Sequence, residues 1–225
     1  MLAWTCVKTI DLMSQKTAHQ AAPSHRITAL LVHPAAKPLL WAVCALPFVV
    51  LLIAALTDRL GANPAEALIK ETGEWALRWL WGSLAITPLR TWLTMPALLR
   101  FRRALGVTAF VYAALHFLAY AWLDKSWILN DIINDVTKRN FILVGVVALI
   151  LMTPLALTSF NRAVKALGGP RWRLLHRLAY AVALLALLHF FWKKAGKNDF
   201  GEVSVYAGIL AVLLGWRFGL WMKKF

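Results

Sequence analysis

Acidic residues are scarce. The 225-residue chain has 10 Asp and Glu against 25 Lys and Arg, a net charge of +15. Such an excess would suit nucleic acid if it formed one basic face. Here the basic residues stand in short segments between apolar runs, which excludes nucleic acid as a partner and is the positive-inside pattern of membrane proteins. Cysteine is nearly absent. Cys6 and Cys44 fall in the leader and the first apolar run, so no disulfide framework is expected. No Gly-rich dinucleotide fingerprint follows a strand, which argues against a self-contained nicotinamide domain. No compact apolar region precedes a small-residue cleavage site near the start, so no signal peptide is expected.

Apolar residues dominate instead, at 60% of the chain, with 12 Trp and a mean hydropathy of +0.63. Six runs are long enough to cross a bilayer: 39–56, 75–93, 104–123, 141–160, 171–194 and 203–221. The second is the weakest, with Arg78 near its start and Pro88 near its end. Pro47 should kink the first, as membrane helices tolerate. The expected fold is an all-α membrane protein of six transmembrane helices. The bundle takes 39–221, between an N-terminal tail of 1–38 and a C-terminal tail of 222–225. The first tail, carrying His19, His25 and His33, reads as disordered or interfacial. The tryptophans read mostly as interface belts. The loops 57–74 and 124–140 are acidic and charge-balanced, and Gly168-Gly169-Pro170 marks a turn. Arginine-rich segments follow spans two and four. With six spans they share a side with both termini, so both tails are expected in the cytoplasm, beside anionic lipid.

Three histidines lie inside the apolar runs, where an ionisable side chain is costly and marks a functional site. His116 is on span three; His176 and His189 are on span five. Spans three and five run in one direction. His116 follows Arg103 by thirteen residues, and His189 follows His176 by thirteen. Laid parallel, the spans put His116 and His189 at one depth, with His176 roughly 20 Å away along the axis. A lone histidine in such a place could simply bond across helices. Two facing imidazoles at one depth can clamp a flat macrocycle and fill both axial positions of its iron, which suits electron transfer rather than substrate binding. No Cys-x-x-Cys-His string is present, so such a haem would not be attached covalently. His176 could ligate a second haem near the cytoplasmic face. Thirteen residues leave His176 and His189 roughly 140° apart around an ideal helix, so both can face one seam only if the helix bends or frays at His176. Arg102, Arg103, Arg173 and Arg177 gather at that level and suit haem propionates or a flavin phosphate. Tyr112 and Tyr120 flank His116 and could bond propionates or serve as packing anchors. A stand-alone ferric or cupric reductase, or a small transporter or scaffold, would also fit the span count. Transporters often carry internal repeats, and no clear repeat is visible.

Four stretches carry a resemblance: TGEWALRWLWGSLAITPLR (72–90), RRALGVTAFVYAALHFLAY (102–120), FILVGVVALILMTPLALTS (141–159) and RWRLLHRLAYAVALLALLHF (171–190). Together, over about 39–221, the chain resembles the MsrQ family of haem-binding membrane subunits, within the ferric reductase-like transmembrane group. The resemblance implies b-type haem, one or two per chain, and FMN. It implies electrons taken from the quinone pool or a cytoplasmic flavin reductase. They would pass to a periplasmic molybdopterin enzyme, MsrP, that reduces methionine sulfoxide in proteins. The site would lie in a bacterial inner membrane. The family's membrane histidines carry over to His116, His176 and His189. Two departures stand out. Arg102 and Arg103 occupy the depth at which the wider group has a second histidine on span three, and Asn140 replaces a proline ahead of span four. No cytoplasmic FAD and NADPH domain follows span six here, so electrons would arrive from another molecule.

The charge pattern makes a direct prediction. A reporter fused to the C-terminus should be active in the cytoplasm, and activity confined to the periplasm would contradict the topology.

Overall fold

The computed structural model describes residues 22–196 and 198–222. The chain segments 1–21, with His19, and 223–225 lie outside the described residues. Among those described, every regular element is helical. The helices are α1 (Ala22–Val32), α2 (Ala36–Leu56), α3 (Pro64–Trp92), α4 (Leu99–Ala119), α5 (Leu129–Lys138), α6 (Asn140–Leu157), α7 (Asn161–Leu167), α8 (Gly169–Leu175), α9 (Leu178–Ala195) and α10 (Gly201–Met222).

Five segments are long and apolar enough to cross a membrane: Ala36–Leu56, Pro96–Asp124, Asn140–Leu157, Gly169–Ala195 and Gly201–Leu220. The remaining predicted span lies in α3, whose 29 residues give a rod of about 43 Å. It does not reach the apolarity of the other five. It is instead packed among the other helices. α3 supplies Leu77, Leu80, Trp81 and Leu84 to the main core, where they meet Ala109, Met152, Val182, Ala183 and Leu210. A helix wrapped by protein can carry charge, because its polar groups find partners in neighbouring helices. Glu74, 6% exposed, accepts from Arg78 at 2.8 Å. Arg78 Nε donates to the Tyr206 hydroxyl, and Trp81 Nε1 donates to the Tyr206 carbonyl at 3.0 Å. These bonds tie α10 to α3.

Two expectations about the connections need correction. The acidic loop 57–74 is helical from Pro64 onward. Asn63 caps that helix by accepting from the Glu66 N–H, and Pro64 sits in its first turn, where a missing N–H costs nothing. The loop 124–140 holds a helix too. α4 runs on through a π-helical turn at Tyr120–Asp124, and α5 then follows with a strongly two-sided sequence. The long fifth span bends at the place that the helical phase of His176 and His189 required. α8 ends at Leu175, α9 starts at Leu178, and His176 and Arg177 form the joint. Gly168, at φ +73°, makes the turn that precedes α8. Part of the expected tail is ordered helix: α1 is held where Arg100 Nη1 donates to the Leu31 carbonyl at 2.6 Å.

Two antiparallel helix pairs form the centre. α3 packs along α4, α6 packs along α9, and α4 joins the two pairs by packing on α6. Small residues allow this closeness, with Ala109 and Ala183 fully buried. Each pair joins the start of one helix to the end of the other. α2 packs on α4 at a defined break. Pro47 removes one rung of its ladder, and the Tyr112 hydroxyl enters the gap, donating to the Cys44 carbonyl at 2.8 Å and accepting from the Phe48 N–H at 3.0 Å. Tyr112 is thus a structural group and does not flank the histidine site as an anion ligand.

Tyr112→Phe should lower stability by about 1 kcal/mol, the usual worth of a buried hydrogen bond. Thermal melting of the purified protein followed by circular dichroism would measure this, and an unchanged midpoint would contradict the role given to the hydroxyl.

Candidate functional site

His116 ends α4 and His189 lies in the second half of α9. Because α4 and α9 run in one direction, both reach the same end of the bundle. Their ring centroids are 6.1 Å apart and their planes cross at 78°. Each ring is held by its neighbour's backbone. His116 Nδ1 donates to the Ile69 carbonyl at 2.7 Å, and His189 Nδ1 donates to the Phe141 carbonyl at 2.6 Å. A carbonyl only accepts, so each Nδ1 carries the proton and each Nε2 keeps its lone pair. This is the arrangement that orients metal-ligating histidines in general. Both rings line a cavity of about 470 Å³, with Leu77, Leu80, Ala113, Met152 and Phe190 among its apolar walls. Lys70, Arg139 and Lys193 stand at its polar rim, beside Glu66, Glu74 and Asp124.

The spacing permits a direct test of fit. A metal–imidazole bond is about 2 Å. Adding half a ring on each side, two imidazoles on opposite faces of one iron have centroids roughly 6 Å apart. The observed 6.1 Å agrees. The cavity is mostly apolar with a few convergent polar groups, as cofactor sites are. His116 and His189 therefore fit an iron held in a flat macrocycle.

His176 is at the other end of the bundle and is engaged differently. Its ring stacks on Trp172, with centroids 4.0 Å apart, and its Nε2 lies 3.2 Å from Thr158 Oγ1. The threonine hydroxyl gives its one hydrogen to the Pro154 carbonyl at 2.7 Å. His176 Nε2 must then be the donor toward Thr158, which leaves only Nδ1 with a lone pair. Arg102 and Arg103 are within electrostatic reach of the ring. Arg103 Nη1 donates to Asn161 Oδ1 at 2.7 Å, while Arg173 and Arg177 are exposed. Arg217 of α10, which sequence reading passed over, also senses Arg102 and lies over the Tyr180 ring at 4.8 Å.

Tyr120 lines the cavity, yet its hydroxyl is taken: it donates to Asp135 Oδ2 at 2.8 Å. Lys125 and Arg139 pair with the same carboxylate at 3.0 and 2.9 Å. Burial works to raise the Asp135 carboxyl, but hydrogen bonds from Lys125 and Tyr120 and the charge of Arg139 hold it below the ordinary carboxylate range. This network ties α5 to the end of α4. Sequence reading also missed Gly73 and Gly145, against which the two site histidines pack. Their spacings from the histidines, 43 and 44 residues, were the available signal.

A helical membrane bundle that seats two facing imidazoles defines a class. The family described as ferric reductase like transmembrane component matches residues 72–187, more than half the chain. The match ends two residues before His189. The relatives narrow it further. The protein-methionine-sulfoxide reductase heme-binding subunit MsrQ of Polaromonas naphthalenivorans is 59% identical over 187 residues, 83% of this chain and 85% of that protein. The proteins of the same name from Herminiimonas arsenicoxydans and Ralstonia nicotianae are each 48% identical, over 189 and 177 residues. Those matches cover 84% and 79% of this chain, and 87% and 82% of the relatives. The chain belongs to the MsrQ family. No solved structure matches it.

Proposed function

We propose that this chain is the transmembrane electron-transfer subunit of a protein-methionine-sulfoxide reductase system in the bacterial inner membrane. In this reading α3 also crosses the membrane, as the second of six spans, and both termini are cytoplasmic. The observation that carries it is the His116–His189 pair, 6.1 Å between centroids, with each Nδ1 tied to a carbonyl. A b-type haem held by His116 and His189 would supply a single-electron redox centre.

The chain's own residues do the rest. His116 and His189 present their Nε2 lone pairs as ligands. The apolar lining excludes water, which keeps the site in a low-dielectric setting. Lys70, Arg139 and Lys193 line the same cavity and would stand nearest to propionates, with Arg139 already paired to Asp135. At the opposite end His176, Arg102, Arg103, Arg173 and Arg177 form the receiving site, joined by Arg217. Guanidinium forks there suit the phosphate of FMN or the acidic groups of a flavin reductase, and a quinol could arrive at the same level from the lipid. Electrons would leave at the His116–His189 end for a periplasmic molybdopterin reductase of the MsrP kind. The names of the relatives support the system, and the distribution of arginines supports the direction.

His116→Ala and His189→Ala should each remove most of the haem absorbance from the purified protein. Full haem content in either variant would overturn the pairing. His176→Ala should keep that absorbance but slow its reduction by quinol or a flavin reductase. Reduction at the wild-type rate by every such donor would remove His176 from the receiving site.

A further inference from the structure

Two glycines on different helices meet the two site histidines in the same way. A Cβ built on Gly73 would lie 2.9 Å from His116 Nδ1 and 3.0 Å from its Cε1. A Cβ built on Gly145 would lie 2.8 Å from His189 Nδ1 and 2.9 Å from its Cε1. Contacts so short are not tolerated, so an alanine at either place must displace the ring or the helix. Gly82 and Gly208 are not under this constraint. A Cβ on Gly82 would meet Leu105 at an ordinary 3.9 Å, and one on Gly208 would meet nothing within 4 Å. Glycine weakens a helix interior relative to alanine, so helix formation gives no reason for these two.

The hydrogen bonds follow the same register. Ile69 is four residues before Gly73, and Phe141 is four before Gly145. Each ring therefore bonds to the carbonyl that the glycine's own N–H faces in the helical ladder. A carbonyl oxygen has two lone pairs and can take both donors. The ring approaches that oxygen closely only because the residue one turn along has no side chain. Both helix pairs repeat this device, α3 with α4 and α6 with α9.

We propose that Gly73 and Gly145 are positioning residues: each opens the space in which its histidine ring docks on the neighbouring helix, and together they set the crossed angle of the two imidazoles. Under the haem reading, on which the consequence rests, that angle sets the splitting of the iron d orbitals. Crossed ligand planes give a strongly anisotropic low-spin signal with one large g value, and parallel planes give a three-line rhombic signal. A ring displaced from its carbonyl loses both its fixed rotation and the polarisation of its Nε2, so the reduction potential moves as well.

The test uses the purified holoprotein with Gly73→Ala, Gly145→Ala and, as control, Gly208→Ala. Electron paramagnetic resonance of the oxidised protein should show the large-g feature shifted or split in the first two and unchanged in the control. A redox titration should show a shifted midpoint in the same two. Wild-type signals and midpoints in both would overturn the proposal. A second measurement needs no haem. Gly73→Ala should lower the thermal midpoint of the wild-type chain but not of a His116→Ala chain, because the clash needs the ring. Equal losses in both backgrounds would mean that Gly73 serves helix packing alone, and the proposal fails. Since the melting comparison reads the glycine–histidine contact directly, it separates failure of this proposal from failure of the haem reading.

Discussion

A backbone carbonyl inside a membrane helix normally has one partner, the N–H four residues on. Ile69 and Phe141 each take a second, the Nδ1–H of a histidine from the adjacent helix. Everything at the site depends on that pair of bonds. They fix the tautomer, so the free lone pair is on Nε2 of both rings. They fix each ring against a helix rather than against a mobile side chain, which keeps the site from loosening. They also place both rings at one end of the bundle, because each carbonyl sits in the first turns of a helix whose antiparallel neighbour ends there. A ring angle of 78° is then a property of helix packing.

The same requirement, that polar groups find partners within protein, governs the rest of the bundle. Where Pro47 breaks the α2 ladder, Tyr112 fills the break from α4. Where α3 carries Glu74 and Arg78, it is surrounded by helices, and α10 answers with both polar atoms of Tyr206. α3 is therefore the least apolar of the long helices and one of the most buried. Its Glu74–Arg78 pair is consistent with its central place, since a carboxylate facing lipid would have no partner at all.

Much of this was legible in the residues. The apolar runs marked the long helices, and counting from Arg103 and from His176 put His116 and His189 at a common depth. The structure brings those two together. The misread parts share a cause: they depend on contacts between distant segments. Glu66, Glu71 and Glu74 made the start of α3 look like a loop, because a carboxylate reads as solvated unless its partner is known. The two-sided pattern of α5 was short and lay among charges. The joint at His176 and Arg177 is invisible in an unbroken apolar run, although the helical phase of His176 against His189 demanded some bend there. Tyr120 looked free because Asp135, fifteen residues on, gave no sign of folding back to it. Gly73 and Gly145 carry no chemistry of their own and stand out only when the ring beside each is seen.

Charge divides the two ends of the bundle more sharply than its depth pattern alone required. Every Asp and Glu except Asp11 falls in or beside 57–74, 124–139 or 199–202, all at the end that holds His116 and His189. The ion pairs among the described residues lie there as well, from Lys70–Glu74 to Lys194–Glu202. At the other end Arg100 bonds a carbonyl, Arg103 bonds an amide, and Arg217 rests on a tyrosine ring. None of these partners cancels charge. A positive field that is not neutralised attracts anions and stabilises an added electron nearby. At the histidine-pair end the cations already face carboxylates, so the field is weaker. The fold thus places an unbalanced positive field around His176 and a balanced one around His116 and His189.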